Sequence, residues 1–133
     1  MLPKINPTST AAWQQLAAHA TEMKQVHMRE LFRQDPDRFR KYASCITDID
    51  YSKNIINDQS LKLLIQLAEE CRVKDGIRAM FNGDPINETE NRAVLHTALR
   101  NFSDRPVYTG GHDVMPQVRE VLEQMKKFCG AVH

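Results

Sequence analysis

The sequence lacks the features that define the more specialised classes of protein. Its 133 residues include three cysteines, with no Cys-x-x-Cys spacing, which disfavours zinc and a thioredoxin-like motif. Lysine and arginine number 18 against 17 acidic residues, so no electrostatic footprint favours nucleic acid or an anionic membrane. No 18-residue apolar run exists, and the first residues lack the apolar core of a signal peptide. A reduced, cytoplasmic protein without nucleic-acid or membrane partners is therefore expected.

The composition is that of an ordinary globular chain. Apolar residues make up 41% of the sequence and charged residues 26%, which is far from a disordered profile. A chain of this length can bury a core of its own, and no linker, repeat or low-complexity tract interrupts it. We therefore predict a single domain over residues 1–133.

The first forty residues favour helices. After Thr8 or Thr10, either able to act as an N-cap, apolar residues recur at helical spacing to about Lys24: Trp13, Leu16, Ala17, Ala20 and Met23. A shorter helix is predicted around Met28, Leu31 and Phe32. Asp35-Pro36 resembles a cap with proline in the first helical position, which predicts a third short helix bearing Phe39 and Tyr42 on one face.

Two segments favour β-structure. Between Ser44 and Tyr51 the pattern alternates and β-branched residues are dense, which predicts a short strand or a tight hairpin. Arg105 to Thr109, or Val107–Thr109 within it, is a candidate second strand that Gly110-Gly111 would end.

The remaining pattern returns to helices, so the fold class is predicted as mainly α, an irregular domain of about five to seven helices. One helix begins near Asn57-Asp58, either of which could cap it. Its stripe is expected to be buried: Leu61, Leu64, Ile65, Ala68 and Cys71. The next runs from Val73 to Phe81, with Asn82-Gly83 as a left-handed stop and three residues expected inward: Ile77, Met80 and Phe81. The last helix begins after its cap, Asp113, tolerates Pro116 in its first turn and ends at Gly130. It carries a longer apolar stripe: Val114, Val118, Val121, Leu122, Met125, Phe128 and Cys129.

The run from Asn87 to Asn101 predicts a capped helix with a cationic side. Asn87 and Glu90 have the spacing of a capping box. Three donors then follow at intervals of four residues, Arg92, His96 and Arg100, which on a helix share one stripe. Such a stripe is able to hold a phosphorylated ligand, but carboxylates such as Glu88 more often neutralise it while the side-chain stems cover apolar surface. We favour the structural interpretation.

No other segment carries a complete chemical motif. Gly110-Gly-His-Asp113 faintly resembles an anion-binding loop, yet Asp113 would repel an anion, and a turn is favoured. The histidines have no paired metal-ligand spacing, and the serines lack a nucleophile-elbow context. We therefore assign no catalytic, substrate-binding or metal-binding residue to the chain, and no cofactor.

Several segments, in order, resemble the start of glucose-6-phosphate isomerases. They are Ile5 to Trp13, Asp35 to Phe39, Asp50 to Asn54, Ala79 to Gly83, the specific run Ile86 to Asn101, Asp113 to Pro116, and Met125 to Cys129. Together they cover practically the whole chain. One departure is visible: family members generally carry a longer, two-stranded insertion before Asp50, so the hairpin here is expected to be trimmed or reduced to one strand.

The resemblance implies that the parent protein interconverts glucose 6-phosphate and fructose 6-phosphate in glycolysis and gluconeogenesis. The family's α/β sugar-isomerase domains and catalytic residues would lie downstream, so the chain would be an inactive amino-terminal helical segment. Its partners would be the rest of the parent enzyme and the dimer mate, with sugar phosphate bound only by the complete enzyme. A free-standing helical module that binds a protein partner is the main alternative, and a phosphate-binding module using Arg92 and Arg100 is a weaker one.

Overall fold

The computed structural model describes residues 2–44 and 46–132, which are mainly helical. Among these residues there are six α-helices and two antiparallel strand pairs, so the predicted fold class is confirmed. In chain order the elements are α1 (Ala11–Met23), α2 (Met28–Gln34), α3 (Arg38–Lys41), β1 (Ala43–Ser44), β2 (Ile49–Asp50), α4 (Asp58–Glu70), α5 (Val73–Phe81), β3 (Tyr108–Thr109), β4 (His112–Asp113) and α6 (Met115–Val132).

The chain divides into two compact units. The N-terminal unit is Ile5–Arg72, and the C-terminal unit is Val73–His133 together with Met1–Lys4. That the full chain forms one domain stays a prediction, because compactness does not decide whether the units fold independently.

In the N-terminal unit, α1 packs against α4. Thr10 caps α1 as predicted, accepting a hydrogen bond from Trp13 N at 3.2 Å. At one end of the packed pair, Glu70 accepts a hydrogen bond from Ala12 N at 3.1 Å. At the other end, His19 Nε2 lies 2.9 Å from Ser60 Oγ. Burial is concentrated between them, where Ala12, Met23 and Leu63 are almost fully covered.

The face of α4 that meets α1 differs from the predicted one. Ser60 and Leu63 are buried, whereas Leu64 and Ile65 of the predicted stripe are about half exposed. The reason is that the docking face includes polar residues, Ser60 and Glu70, whose side chains bond across to α1. Hydrophobic periodicity cannot recognise such a face.

The hairpin predicted between Ser44 and Tyr51 is confirmed. β1 pairs with β2 in an antiparallel register that places Ala43 opposite Asp50 and Ser44 opposite Ile49. The turn between them includes Asp48 at φ 52°, a left-handed conformation that aspartate tolerates better than most residues. Cys45, part of the predicted strand, lies outside the described residues.

The proline cap predicted at Asp35-Pro36 is wrong. α3 begins only at Arg38, and Asp37 occupies the cap position without a side-chain hydrogen bond. A buried cation fixes this region instead. Arg38 is 2% exposed, and its guanidinium donates to the backbone oxygens of Ser52, Asn54 and Ile56 at 2.7–2.8 Å. These bonds tie α3 to the loop that leads into α4.

In the C-terminal unit, α5 stops at the predicted left-handed glycine. Gly83 has φ 72°, and Asp84 N donates back to Ala79 O at 3.0 Å. The inward residues were predicted incorrectly, because Ala79 is buried while Ile77 and Phe81 are largely exposed.

The second predicted strand is confirmed in part, as the shorter β3. It pairs with β4, placing Tyr108 opposite Asp113 and Thr109 opposite His112. Gly110 and Gly111 form the two-residue turn, at φ 55° and 82°, values that glycine adopts without steric cost.

The last helix, α6, is longer than predicted and poorly covered. It runs through Gly130, the predicted end, to Val132. Met115 is its buried residue, and every described residue from Arg119 to Val132 is exposed. Of the predicted stripe, Val114 and Val118 are half-buried, and the part from Val121 to Cys129 is exposed among the residues that the structure describes.

Candidate functional site

The C-terminal unit has an open cleft of about 820 Å³ on its surface. Its walls are the segment from Pro85 to Leu99, the β3–β4 turn and Val118 of α6. Most lining side chains are apolar. The polar ones include Asn91, Arg92 and His96, so two of the three predicted cationic positions border this cleft.

The segment that forms the cleft is not the predicted helix. Between Asn87 and Arg92 the backbone turns back on itself, with Asn87 N donating to Arg92 O at 3.1 Å and Arg92 N to Asn87 O at 3.3 Å. Only Ala98–Arg100 is helical, as one short 3-10 turn. The predicted helix over Asn87 to Asn101 is therefore wrong.

The predicted capping box forms only in part, and no helix follows it. The Glu90 carboxylate accepts from the side-chain amide of Asn87 rather than from its backbone N–H, which donates to Arg92 O. Asn87 Oδ1 accepts from Glu90 N at 3.3 Å, and its amide donates to Glu90 Oε2 at 3.0 Å. The next residue, Asn91, adopts φ 49° and reverses the chain. The same local chemistry serves a turn or a helix start, because it fixes only the first residues and leaves the next dihedral to tertiary structure.

The three cationic side chains do not form one stripe. Arg92 pairs with Glu90 through Nε, and Glu88 pairs instead with Lys4 at 2.9 Å. Arg100 donates to the backbone oxygen of His96 at 3.3 Å. It borders a second, smaller depression of about 570 Å³ beside Met80 and Phe81. The favoured structural interpretation of carboxylate pairing is confirmed for Arg92, although the partner is Glu90 rather than Glu88.

The glycine loop before α6 is a turn, as predicted. Asp113 Oδ1 accepts from Val107 N at 3.2 Å and from Met115 N at 3.0 Å, so its carboxylate joins β4 to the start of α6. An anion would meet this carboxylate rather than free backbone donors.

The N-terminal unit contains a polar cluster that the sequence did not reveal. Tyr42, 1% exposed, donates from its hydroxyl to Asp58 Oδ1 at 2.6 Å, and Lys41 bonds the other oxygen of Asp58. Burial raises the pKa of Tyr42 above its ordinary value. The hydrogen bond from Lys41, followed by that from Tyr42, lowers the pKa of Asp58. The sequence offered both Asn57 and Asp58 as caps of α4; Asn57 is the cap, and Asp58 belongs to this cluster.

Residues 2–44 and 46–132 hold no cluster of three or more His, Cys, Asp or Glu side chains suited to a metal ion. Within the same ranges, no helix combines the length and the apolar character needed to cross a membrane.

Comparison with known families assigns the fold and sequence to one class. Residues 50–133 match the phosphoglucose isomerase family, which is more than half of the chain. The chain belongs to the phosphoglucose isomerase family. It is a glucose-6-phosphate isomerase-type protein, and the family is one of isomerases. The matched region begins at Asp50, so the resemblance of Ile5 to Trp13 and of Asp35 to Phe39 stays a prediction.

Proposed function

We propose that this chain is the amino-terminal helical segment of a glucose-6-phosphate isomerase, and that by itself it is structural and inactive. The observation that carries the proposal is the bare apolar side of α6. Met125 is 58% exposed and Phe128 is 71% exposed, and Val121, Leu122 and Val132 lie on the same side of the helix. Five large apolar side chains on one helix face favour a surface that another body of protein covers.

The free energy of such a contact supports a packing role. Removing apolar surface from water contributes about 25 cal/mol per Å², so covering these side chains would stabilise an assembled enzyme by several kilocalories per mole. The exposed stretch of α6 also needs help to remain helical, because short helices are marginal in water without tertiary packing. We propose that the following domains and the dimer mate supply that packing.

The proposed reaction explains why the chemistry would lie outside this segment. Interconversion of glucose 6-phosphate and fructose 6-phosphate requires ring opening and then proton transfer between neighbouring carbons through an enediol. It needs a carboxylate base held against the substrate and fixed donors for the developing oxyanion, and no metal or organic cofactor. The family resemblance assigns these groups, and the sugar phosphate they bind, to the complete enzyme.

We also propose a cytoplasmic location. Cys71 and Cys129 are free thiols. Free thiols fit a reducing compartment, which agrees with a place in glycolysis and gluconeogenesis.

The decisive experiment is an isomerase assay on the purified chain. The protein is expressed in a host that lacks its own isomerase. Fructose 6-phosphate is supplied as substrate, and a coupled dehydrogenase oxidises any glucose 6-phosphate that isomerisation produces. We expect no turnover above the rate of a mock purification from the same host. Turnover near the rate of a complete isomerase would contradict the proposal. Reading the gene beyond codon 133 tests whether the chain is the amino-terminal segment of a longer enzyme. We expect an open reading frame that encodes Gly- and Ser-rich phosphate loops. A stop codon would favour a free-standing module.

A further inference from the structure

We propose that Asn82 is a site of deamidation whose rate is set by opening of the junction between α5 and β3. Asn82-Gly83 is the single Asn-Gly pair in the sequence. The inference is independent of the proposed function, because it rests on local geometry within the C-terminal unit.

The chemistry uses only the chain and water. The backbone nitrogen of Gly83 attacks the side-chain carbonyl carbon of Asn82 and loses its proton to solvent base. The bond from that carbon to the amide nitrogen breaks, and ammonia leaves as a five-membered succinimide closes. Water then opens the ring at either carbonyl, which gives aspartate or isoaspartate. Glycine favours the reaction because no side chain shields its nitrogen.

One side of the junction holds the attacking nitrogen in place. Gly83 N donates to Met80 O at 3.2 Å, and Asp84 N donates to Ala79 O at 3.0 Å, which together close the end of α5. Asn82 is exposed, whereas Gly83 is buried. The electrophile is therefore accessible, but the nucleophile is tied into the helix end.

The other side of the junction holds the peptide plane in place. Thr109 Oγ1 donates to Gly83 O at 3.0 Å. A Cβ added at Gly83 would collide with the backbone oxygen of Tyr108, which shows how closely β3 covers this residue. Ring closure requires the Asn82–Gly83 backbone to rotate, so both contacts must open first.

Deamidation would then prevent the junction from closing again. Either product places a negative charge at the C-terminal end of α5, where the helix dipole disfavours it. Isoaspartate also inserts a methylene into the backbone, which displaces Gly83 from its fit beneath Tyr108. Deamidation at Asn82 is thus a slow, irreversible modification that would release β3 from the end of α5.

The test compares deamidation at Asn82 in three forms of the chain by peptide mass spectrometry, with isoaspartyl methylation to identify the product. The wild type is incubated folded and in denaturant, and we expect the folded chain to react more slowly. Thr109→Val removes the hydroxyl bond and keeps a β-branched side chain. Because one such bond contributes about 1 kcal/mol, we expect about a fivefold faster reaction. Thr21→Val is the matched control, since Thr21 Oγ1 donates to Ala17 O in α1, and it should leave the rate unchanged.

Equal deamidation rates in the folded and denatured wild type would contradict the proposal that opening of the junction sets the rate. An unchanged deamidation rate in Thr109→Val would contradict it as well. No reaction at Asn82 even in denaturant would overturn the site itself. If Thr109→Val does not fold, the wild type alone decides the matter through hydrogen exchange at the Gly83 amide. In mild urea, exchange and deamidation should rise together, and deamidation that fails to follow exchange would overturn the proposal.

Discussion

The guanidinium of Arg38 lies over the ring of Tyr42, with its central carbon 4.7 Å from the ring centroid. Both side chains are nearly inaccessible to solvent. The same guanidinium donates to three backbone oxygens of the loop before α4. A cation is stable there because carbonyl oxygens and an aromatic face replace its water.

Replacing Arg38 should therefore destabilise the N-terminal unit strongly. In Arg38→Met, three carbonyl oxygens lose their donor, and we expect a loss of about 3–5 kcal/mol in the free energy of unfolding. Urea unfolding followed by Trp13 fluorescence measures it. Arg40→Met is the control, because Arg40 is exposed on the same helix, and it should change stability by no more than about 0.5 kcal/mol. Similar losses in the two variants would contradict the assigned role.

Gly83→Ala should cost more stability than Gly110→Ala. Both glycines have positive φ, which costs a residue with a Cβ about 1–2 kcal/mol. A Cβ at Gly110 meets open space, whereas one at Gly83 collides with the backbone of Tyr108. Thermal unfolding followed by circular dichroism compares the two variants, and equal losses would show that β3 does not cover Gly83.

Asn91 occupies a left-handed conformation at φ 49° in the turn that replaces the predicted helix. Asn91→Gly should raise stability by up to about 1 kcal/mol, and Asn91→Ala should lower it by about 1 kcal/mol. If this segment were helical, the order would reverse, because alanine favours a helix and glycine disfavours it. Denaturant unfolding of the two variants therefore tests the turn directly.

Asp50 should give the chain an acid-dependent loss of stability. Hydrogen bonds from Lys53 and then Ser52 lower the pKa of Asp50 from 3.8 to about 2. A depressed pKa in the folded state contributes stability above the unfolded value, which is lost as the pH falls from about 4 to about 2. The urea midpoint of Asp50→Asn should fall less steeply across that range than that of the wild type. Parallel curves would contradict the prediction.

The exposed side of α6 should make the isolated chain associate or bind an apolar dye. Met125→Lys with Phe128→Lys should reduce both signals, because the charges interrupt the apolar face. Glu120→Gln with Glu123→Gln is the control, because it raises the net charge by the same two units on other faces of the same helix. Sedimentation velocity and dye fluorescence provide the measurements. A monodisperse wild type that binds no dye would contradict the proposed docking surface.

Local sequence signals predicted elements well where one short segment carried all the information. Thr10 and Asn57 cap their helices as expected, and the hairpin before Asp50 forms as a pair of two-residue strands. The run from Asn87 failed for the opposite reason. Its capping chemistry is compatible with a helix or a turn, and the left-handed dihedral of Asn91 could not be inferred from spacing. Arg38 was overlooked because a buried arginine has no periodic pattern.

The sequence by itself determined the helical character of the chain, most helix boundaries and the family resemblance, because caps, glycine stops and periodicity act over a few neighbouring residues. Tertiary structure decided which faces are covered. It buries Ser60 and Leu63 on α4 in place of Leu64 and Ile65, since bonds between distant residues outweigh the apolar count of one face. It also separates Arg92 from Arg100, because residues 93–97 between them are not helical and no common stripe can form.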